Sequence, residues 1–518
     1  MLSLLAGLAL VAGAVPAEVT PGTPIVTIRI VRVDIFDVND PETSAWPYRL
    51  ADSLHVTTQE KLIRSLLLFR EGDRLDYDRL AESERLLRDS GFLSPVTITA
   101  HPAPGGAEVV VETHDQWTTK PGIHFGKVGN RSKYGIELTE ENFLGLGKHV
   151  EVDWNDDAER RWWGVVYKDP LFLATRWKLS LTHRTATDGR THQVSFEYPF
   201  YALATRFAGG VEWDDQTQRE YLYSFGKKVV SGDVSVESAR AWGGILVPIE
   251  YDAVDRLTVG VFRDVSSYED WLWTTGEPYE PPVGHDLQGV EVGWERVTDR
   301  WQVVQGFRGF QRQEDLPLGP NWNVSLGFSL PSLGGEGRRQ RVTGAFYAGR
   351  SIGKTFSWLS AGASGRLEGA HPVNAVTHLE VGSKHIGDAG WLAHAMLDWG
   401  YKLDRDRQLA LGADVGLRGW DPSTFDGTSR AVLNLEWRMR LTDEVLHFGV
   451  FGISAFVDAG RTWGARVGPG SDGWRGDAGV GVLFESTRAP ILKMTRLEVG
   501  FPDDGSGPVW LLLSGSVF

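Results

Sequence analysis

At 518 residues without a single cysteine, the chain exceeds one ordinary domain and takes no stability from disulfides. A net charge of −15 argues against nucleic acid as a partner, and a mean hydropathy of −0.22 with no run of 18 apolar residues excludes helical membrane spans. The 61 glycines and 21 tryptophans, both in excess, fit many tight turns framed by aromatic girdles.

The chain opens on an uncharged stretch, Leu2 to Ala17, ending in Val15-Pro16-Ala17. This reads as a signal peptide over 1–17, cleaved after Ala17. It lacks the usual basic leader, because no Lys or Arg precedes Arg29, so an upstream start codon is expected. A small α+β domain is expected over 18–115. Its first strand is Ile25 to Val33, β-branched and partly alternating. After a polar loop with Pro41 and Pro47, Thr57 and Glu60 have the spacing of a capping box ahead of Leu62, Ile63, Leu66 and Leu67. A second helix is expected from Asp76 to Arg88, with Tyr77, Leu80, Ala81 and Leu87 inward and Gly91 as its stop. Val96 to Ala100 and Ala107 to Glu112 read as two strands, giving the order β-α-α-β-β.

From 116 to 518 the helical period gives way to alternation in twos. Val150, Val152 and Trp154 share a face opposite His149, Glu151 and Asp153, and Trp177, Leu179 and Leu181 do so opposite Arg176, Lys178 and Ser180. Between Val432 and Leu441, the apolar face is Leu433, Leu435, Trp437, Met439 and Leu441. Its opposite face holds Asn434, Glu436, Arg438 and Arg440. A soluble sandwich does not line its interior with such residues, whereas a lipid-facing barrel with a hydrated lumen does. The expected fold is therefore mainly β, a transmembrane antiparallel barrel behind one α+β domain. At about 9–11 residues per strand, the 402 residues from Trp117 onward allow roughly 12 to 18 strands. Loops such as Glu269 to Gly289 are expected at the outer surface.

Several segments carry a resemblance. Leu66-Leu67-Leu68-Phe69-Arg70-Glu71-Gly72-Asp73, Leu80, Leu86-Leu87 and Ser90-Gly91-Phe92-Leu93-Ser94-Pro95-Val96 look like a POTRA domain. Glu141-Asn142-Phe143-Leu144-Gly145-Leu146-Gly147 and Tyr167-Lys168-Asp169-Pro170 are similar to the early barrel of the BamA/TamA-like superfamily. Leu417-Arg418-Gly419-Trp420 resembles its conserved-loop motif, and Phe456-Val457-Asp458-Ala459-Gly460 its wall motif. The resemblance implies a sixteen-stranded barrel in the outer membrane of a Gram-negative bacterium, with the POTRA-like domain in the periplasm. It also implies that Asp458 receives an arginine, Arg418, inserted into the lumen. The implied partners are unfolded outer-membrane or secreted polypeptides, the lipid bilayer, and periplasmic proteins or lipoproteins. The implied activity is insertion or translocation of polypeptides, the alternative being a passive or substrate-specific pore. Two features depart from the pattern: there is one POTRA-like unit, and Ser514 and Ser516 interrupt a C-terminal targeting signal that includes Trp510, Leu512 and Phe518.

Chemically, Arg suits the anchoring role because its guanidinium forks onto a carboxylate in a way Lys cannot. A second arginine, in Phe307-Arg308-Gly309-Phe310, lies in an alternating run from Trp301 that reads as a strand. It leaves 210 residues behind it, too many for the few strands that should follow the loop, whereas Arg418 leaves 100. Ala348 to Thr355 satisfies a relaxed phosphate-loop pattern, but its flanks read as antiparallel strands and it is expected to be a barrel turn. No Gly-x-Ser-x-Gly elbow and no His-Glu-x-x-His helix occurs. No catalytic role, cofactor or metal is expected.

Overall fold

The structure is a computed structural model, described over residues 19–33, 56–250, 252–311, 313–445, 449–486 and 494–514. The signal-peptide stretch, the loop with Pro41 and Pro47, and Phe518 lie outside the described residues. The chain divides into two compact units, Met1–Thr119 with Glu141–Lys148, and Lys120–Glu140 with His149–Phe518.

In the first unit, β1 (Ile25–Val33) precedes α1 (Glu60–Leu66), α2 (Tyr77–Asp89), β2 (Leu93–Ala103) and β3 (Gly106–Asp115). The sheet order is β1-β3-β2, with β1 parallel and β2 antiparallel to β3. Buried β-branched residues make its core: Ile25 and Ile28 on β1, Val109 and Val111 on β3, with Leu62, Ile63, Leu80 and Leu87 from the helices. Two details differ from expectation. Gln59, not Thr57, is the N-cap of α1, so Thr57 and Glu60 form no capping box, and the neighbouring Thr58 instead donates its amide to Asp115. In α2, Tyr77 and Ala81 are exposed and Ser83 takes the inward place, three residues beyond Leu80. Its hydroxyl donates to the Arg79 carbonyl and accepts the Leu68 amide, which makes a polar side chain tolerable in the core.

The second unit is built on a closed antiparallel barrel of twenty strands. Six of modest length come first: β4 (Thr119–Val128), β5 (Arg131–Phe143), β6 (Lys148–Asp156), β7 (Arg161–Asp169), β8 (Lys178–Ala186) and β9 (Gly189–Tyr198). Longer ones follow: β10 (Phe207–Ser224), β11 (Lys227–Glu250), β12 (Ala253–Trp273) and β13 (His285–Thr298). β14 (Trp301–Gln305) and β15 (Gln313–Pro317) pair only with each other, as a separate two-stranded sheet. The wall resumes with β16 (Asn321–Ser329), β17 (Arg339–Ile352), β18 (Thr355–Glu368), β19 (His371–His385) and β20 (Ala389–Tyr401). It ends with β21 (Ser429–Arg440), β22 (Gly449–Trp463), β23 (Arg475–Ser486), β24 (Thr495–Pro502) and β25 (Val509–Ser514), and β25 closes on β4.

Twenty strands replace the sixteen implied by the resemblance and exceed the range from counting. The cause is the brevity of many connections. Gly129-Asn130, Thr187-Asp188, Phe225-Gly226, Gly353-Lys354 and Gly369-Ala370 turn the chain in two residues, so these hairpins spend almost no sequence outside strands. The phosphate-loop look-alike is the turn between β17 and β18. The stretch expected as an exposed loop, Glu269 to Gly289, is strand at both ends, since β12 runs to Trp273 and β13 starts at His285, and the connection itself is residues 274–284.

Strand alternation sorts side chains radially. On β21, Leu433, Leu435 and Trp437 point outward, Leu435 with 56% of its surface exposed, while Asn434, Glu436 and Arg438 are buried inside. β12 repeats this with Leu257, Val259 and Val261 outward, and β23 with Val480 and Val482. Because strands alternate in direction, the mouth where β4 begins also carries the β13–β16 connection. We call it the proximal mouth, and the opposite, distal mouth carries the β20–β21 connection. Both of these long connections fold into the lumen.

Candidate functional site

The β20–β21 connection, Lys402 to Thr428, is held by its own apolar core. Leu411, Leu417, Trp420 and Phe425 pack together against Val432 of β21. Its rim is fixed by Asp426, whose carboxylate accepts the amides of Arg466, Val467 and Gly468 from the neighbouring β22–β23 connection. Gly419 brings the loop onto the wall: a Cβ there would lie 2.4 Å from that of Asp477, too close for any larger residue.

This packing delivers Arg418 to the inner wall, fully buried. Its Nε and one terminal nitrogen each donate to Asp458 at 2.8 Å, a two-point fork. The other terminal nitrogen reaches Glu436 at 2.6 Å and lies 3.6 Å from Glu498. The guanidinium also sits 3.6 Å above the Phe456 ring. Arg496 bridges the same acids, 2.8 Å from both Glu436 oxygens and 2.6 Å from Glu498, while Arg438 pairs with Glu436 from its own strand. Asn434 donates to Asp458 at 2.7 Å and to the Gly416 carbonyl at 2.6 Å, tying wall to loop a second time. Three arginines thus face three carboxylates, and every side chain in the set is at most 8% exposed. Such a set is compatible with burial because charge is balanced locally and most donors are matched.

The other motif residues fall as follows. Leu417 and Trp420 belong to the loop's apolar core, and Trp420 also donates its indole N–H to the Gly476 carbonyl. Gly460 leaves room for Leu411, which a Cβ there would approach to 2.8 Å. Asn142, Gly145 and Gly147 form a turn within the first unit. The Asn142 amide donates to Thr58, the Gly145 carbonyl accepts the Gln59 amide, and Gly147 lies against Leu62 and Phe92. Asp169, with Pro170 after it, ends β7 and accepts the Leu171 amide at 3.1 Å. Trp510 and Leu512 lie on β25, Trp510 outward. Among the described residues no group of three potential ligands could hold a metal ion.

The sequence reading of Trp301 to Phe310 as one strand stops short at Gln305. Residues 306–311 form the tip of the β14–β15 hairpin, which enters the lumen from the proximal mouth. Its base is closed by the Leu318 amide on the Arg300 carbonyl and attached to β17 by the Gly349 amide on the Leu318 carbonyl. The tip meets inward side chains of β18, β19, β22 and β23, well around the barrel from where the hairpin leaves the wall. The signal that could have found it is the glycine pair at 306 and 309, which interrupts the alternation.

Neither a protein-family model nor a curated protein sequence matches the chain. Among solved structures it is similar to BamA from Haemophilus ducreyi lacking POTRA domains 1–3, at 14% identity and a TM-score of 0.41, over 95% of this chain and 84% of that one. It is also similar to CdiB from Acinetobacter baumannii (11% identity, TM-score 0.44, 94% and 73%) and to CdiB from Escherichia coli (13%, 0.44, 94% and 76%). At such scores the twenty-stranded barrel stands on its own geometry.

Proposed function

We propose that this chain is an outer-membrane barrel that inserts or translocates polypeptides, with its proximal mouth and its POTRA-like first unit in the periplasm. The apolar outer face supports the membrane setting, because a closed barrel satisfies its backbone internally and presents only apolar side chains to lipid. The observation that carries the polypeptide reading is the seam. Among the described residues, β25 meets β4 and the turn after it through Leu511 opposite Val128, Leu512 opposite Lys127 and the Gly129 amide on the Trp510 carbonyl, whereas its other edge pairs with β24 from Val509 to Ser514. A sparsely paired seam is the edge at which an incoming strand can add. The first unit offers a second edge at β1. Glu71 and Arg64 side chains cap the Ile28 amide and carbonyl there, so an added strand would lie along Ile30 to Val33.

The partners on this reading are unfolded outer-membrane or secreted polypeptides, with periplasmic proteins or lipoproteins in attendance, and the chain needs neither catalysis nor cofactor. The test is photocrosslinking in whole cells from engineered positions in β1 and β25. Crosslinks to unfolded barrel or secreted clients are expected, and their absence at both strands would sink the proposal. One observation favours a pore, passive or substrate-specific: twenty strands exceed the 16–18 that enclose an aqueous channel in porins. Steady, large single-channel conductance without any client crosslink would favour that alternative.

A further inference from the structure

The wall around the hairpin tip is arranged as a receptor. On β19, the buried Lys384 ammonium donates to the Gly306 carbonyl at 3.3 Å and, more closely, to that of Phe307. On β23, one oxygen of Glu485 accepts the amides of Phe310 and Gln311 at 2.6 and 3.1 Å. Toward the tip, both groups therefore address main-chain atoms, which any peptide carries. Two aromatic seats supply selectivity. The Phe307 ring packs edge-on against Phe356 and Trp358 of β18, with centroids 5.4 and 5.7 Å away. Phe310 lies over Gly452 of β22, where a Cβ would come within 2.4 Å of its ring. Between them, Gly309 lets the backbone press on Glu485, to whose oxygen a Cβ would come within 2.1 Å. Arg308 points away from this wall and is 74% exposed.

We propose that this wall is a peptide-binding site for a polypeptide turn carrying two aromatic residues three positions apart, and that the hairpin tip is its resident occupant. The proposal deepens the polypeptide-handling reading and rests on it. The chemistry is that of a peptide complex: an ammonium for carbonyls, a carboxylate for amides, and two shaped apolar seats. Because the base of the hairpin is held separately on β17, the tip can leave without unravelling the wall. A client segment of the same pattern, entering by the proximal mouth, would take its place.

The probe is a labelled synthetic peptide of the chain's own Gly306–Gln311 sequence, added to the full chain in detergent micelles. A resident tip lowers the apparent affinity by the fraction of time the site is open, so Phe307→Ser with Phe310→Ser should tighten binding on the order of tenfold for a tip seated about nine-tenths of the time. Adding Lys384→Gln and Glu485→Gln to that variant should abolish the gain, and a peptide with both phenylalanines replaced by alanine should bind to none of the chains. Equal binding by the unaltered chain and the double variant would overturn the proposal, as would a gain that survives loss of Lys384 and Glu485. A second measurement leaves the seats intact. In a chain with no other cysteine, Arg308→Cys carrying a fluorophore should report release of the tip when peptide is added, and an unchanged signal at saturating peptide would refute displacement. Tip exchange in a chain that yields no client crosslinks would leave the site standing and remove the larger function.

Discussion

Arg418 illustrates how one side chain can serve two tasks. Its fork on Asp458 secures the loop to β22, and its third contact, with Glu436, connects that anchor to Arg438 and Arg496. Lysine offers one compact charge and cannot satisfy both acids in this geometry. Arg418→Lys should therefore loosen the docked loop, and Arg418→Ala, which removes the charge, should cost it about 3–5 kcal/mol, as for other broken buried pairs, while the barrel persists. The expected result is a loop cut rapidly by protease in a protein that still migrates as a folded barrel in unheated gels. A simple exchange, Arg418→Asp with Asp458→Arg, should give little rescue, because the new carboxylate would face Glu436 and Glu498. Arg418 and Asp458 were legible through the order of motifs, and Asn434, Glu436 and Arg438 as the polar face of an alternating strand. Arg496 and Glu498 were not, since β24 is brief and nothing in its sequence tells which wall residues its inner face meets.

At the level of elements, the two lumenal inserts were unequally visible. The β20–β21 loop was legible through the resemblance of Leu417-Arg418-Gly419-Trp420 to a conserved-loop motif. The β14–β15 hairpin alternates like wall strands and is strand, and alternation identifies a β-conformation without saying which sheet it joins. The loop carries a charge that works against its own docking. Asp406 is held above the ordinary carboxylate range, first by burial and then by the neighbouring Asp404, which is committed to Arg366. A carboxyl raised in the folded state takes up a proton as the loop docks. Its contribution is therefore greatest in acid, below the unfolded value of about 3.9, and is lost as pH rises through the raised one. Asp406→Asn should protect residues 402–428 from hydrogen exchange at neutral pH and flatten the pH dependence. Equal protection in both proteins at neutral pH would contradict this.

For the whole molecule, the polarity inversion between outer and inner faces was the dependable message of the sequence, and strand number the undependable one. Inversion is written in strand after strand, as in β12, β21 and β23, whereas number depends on how tightly each pair is joined. The barrel should therefore extract with membranes, and in unheated gels it should migrate apart from its boiled form. Identical migration in both conditions would argue against closure. The parity of the wall has a further consequence. With an even count, first and last strands meet antiparallel, and the barrel's two ends leave by the same mouth. Sixteen and twenty therefore differ by two complete hairpins, and excising one, such as β8 with β9 and its two-residue turn, preserves the sense of closure. Excising a single strand would make β25 parallel to β4 or force one chain end through the opposite mouth. The wall is thus modular in units of two, and circumference can change without altering which compartment either end of the barrel faces.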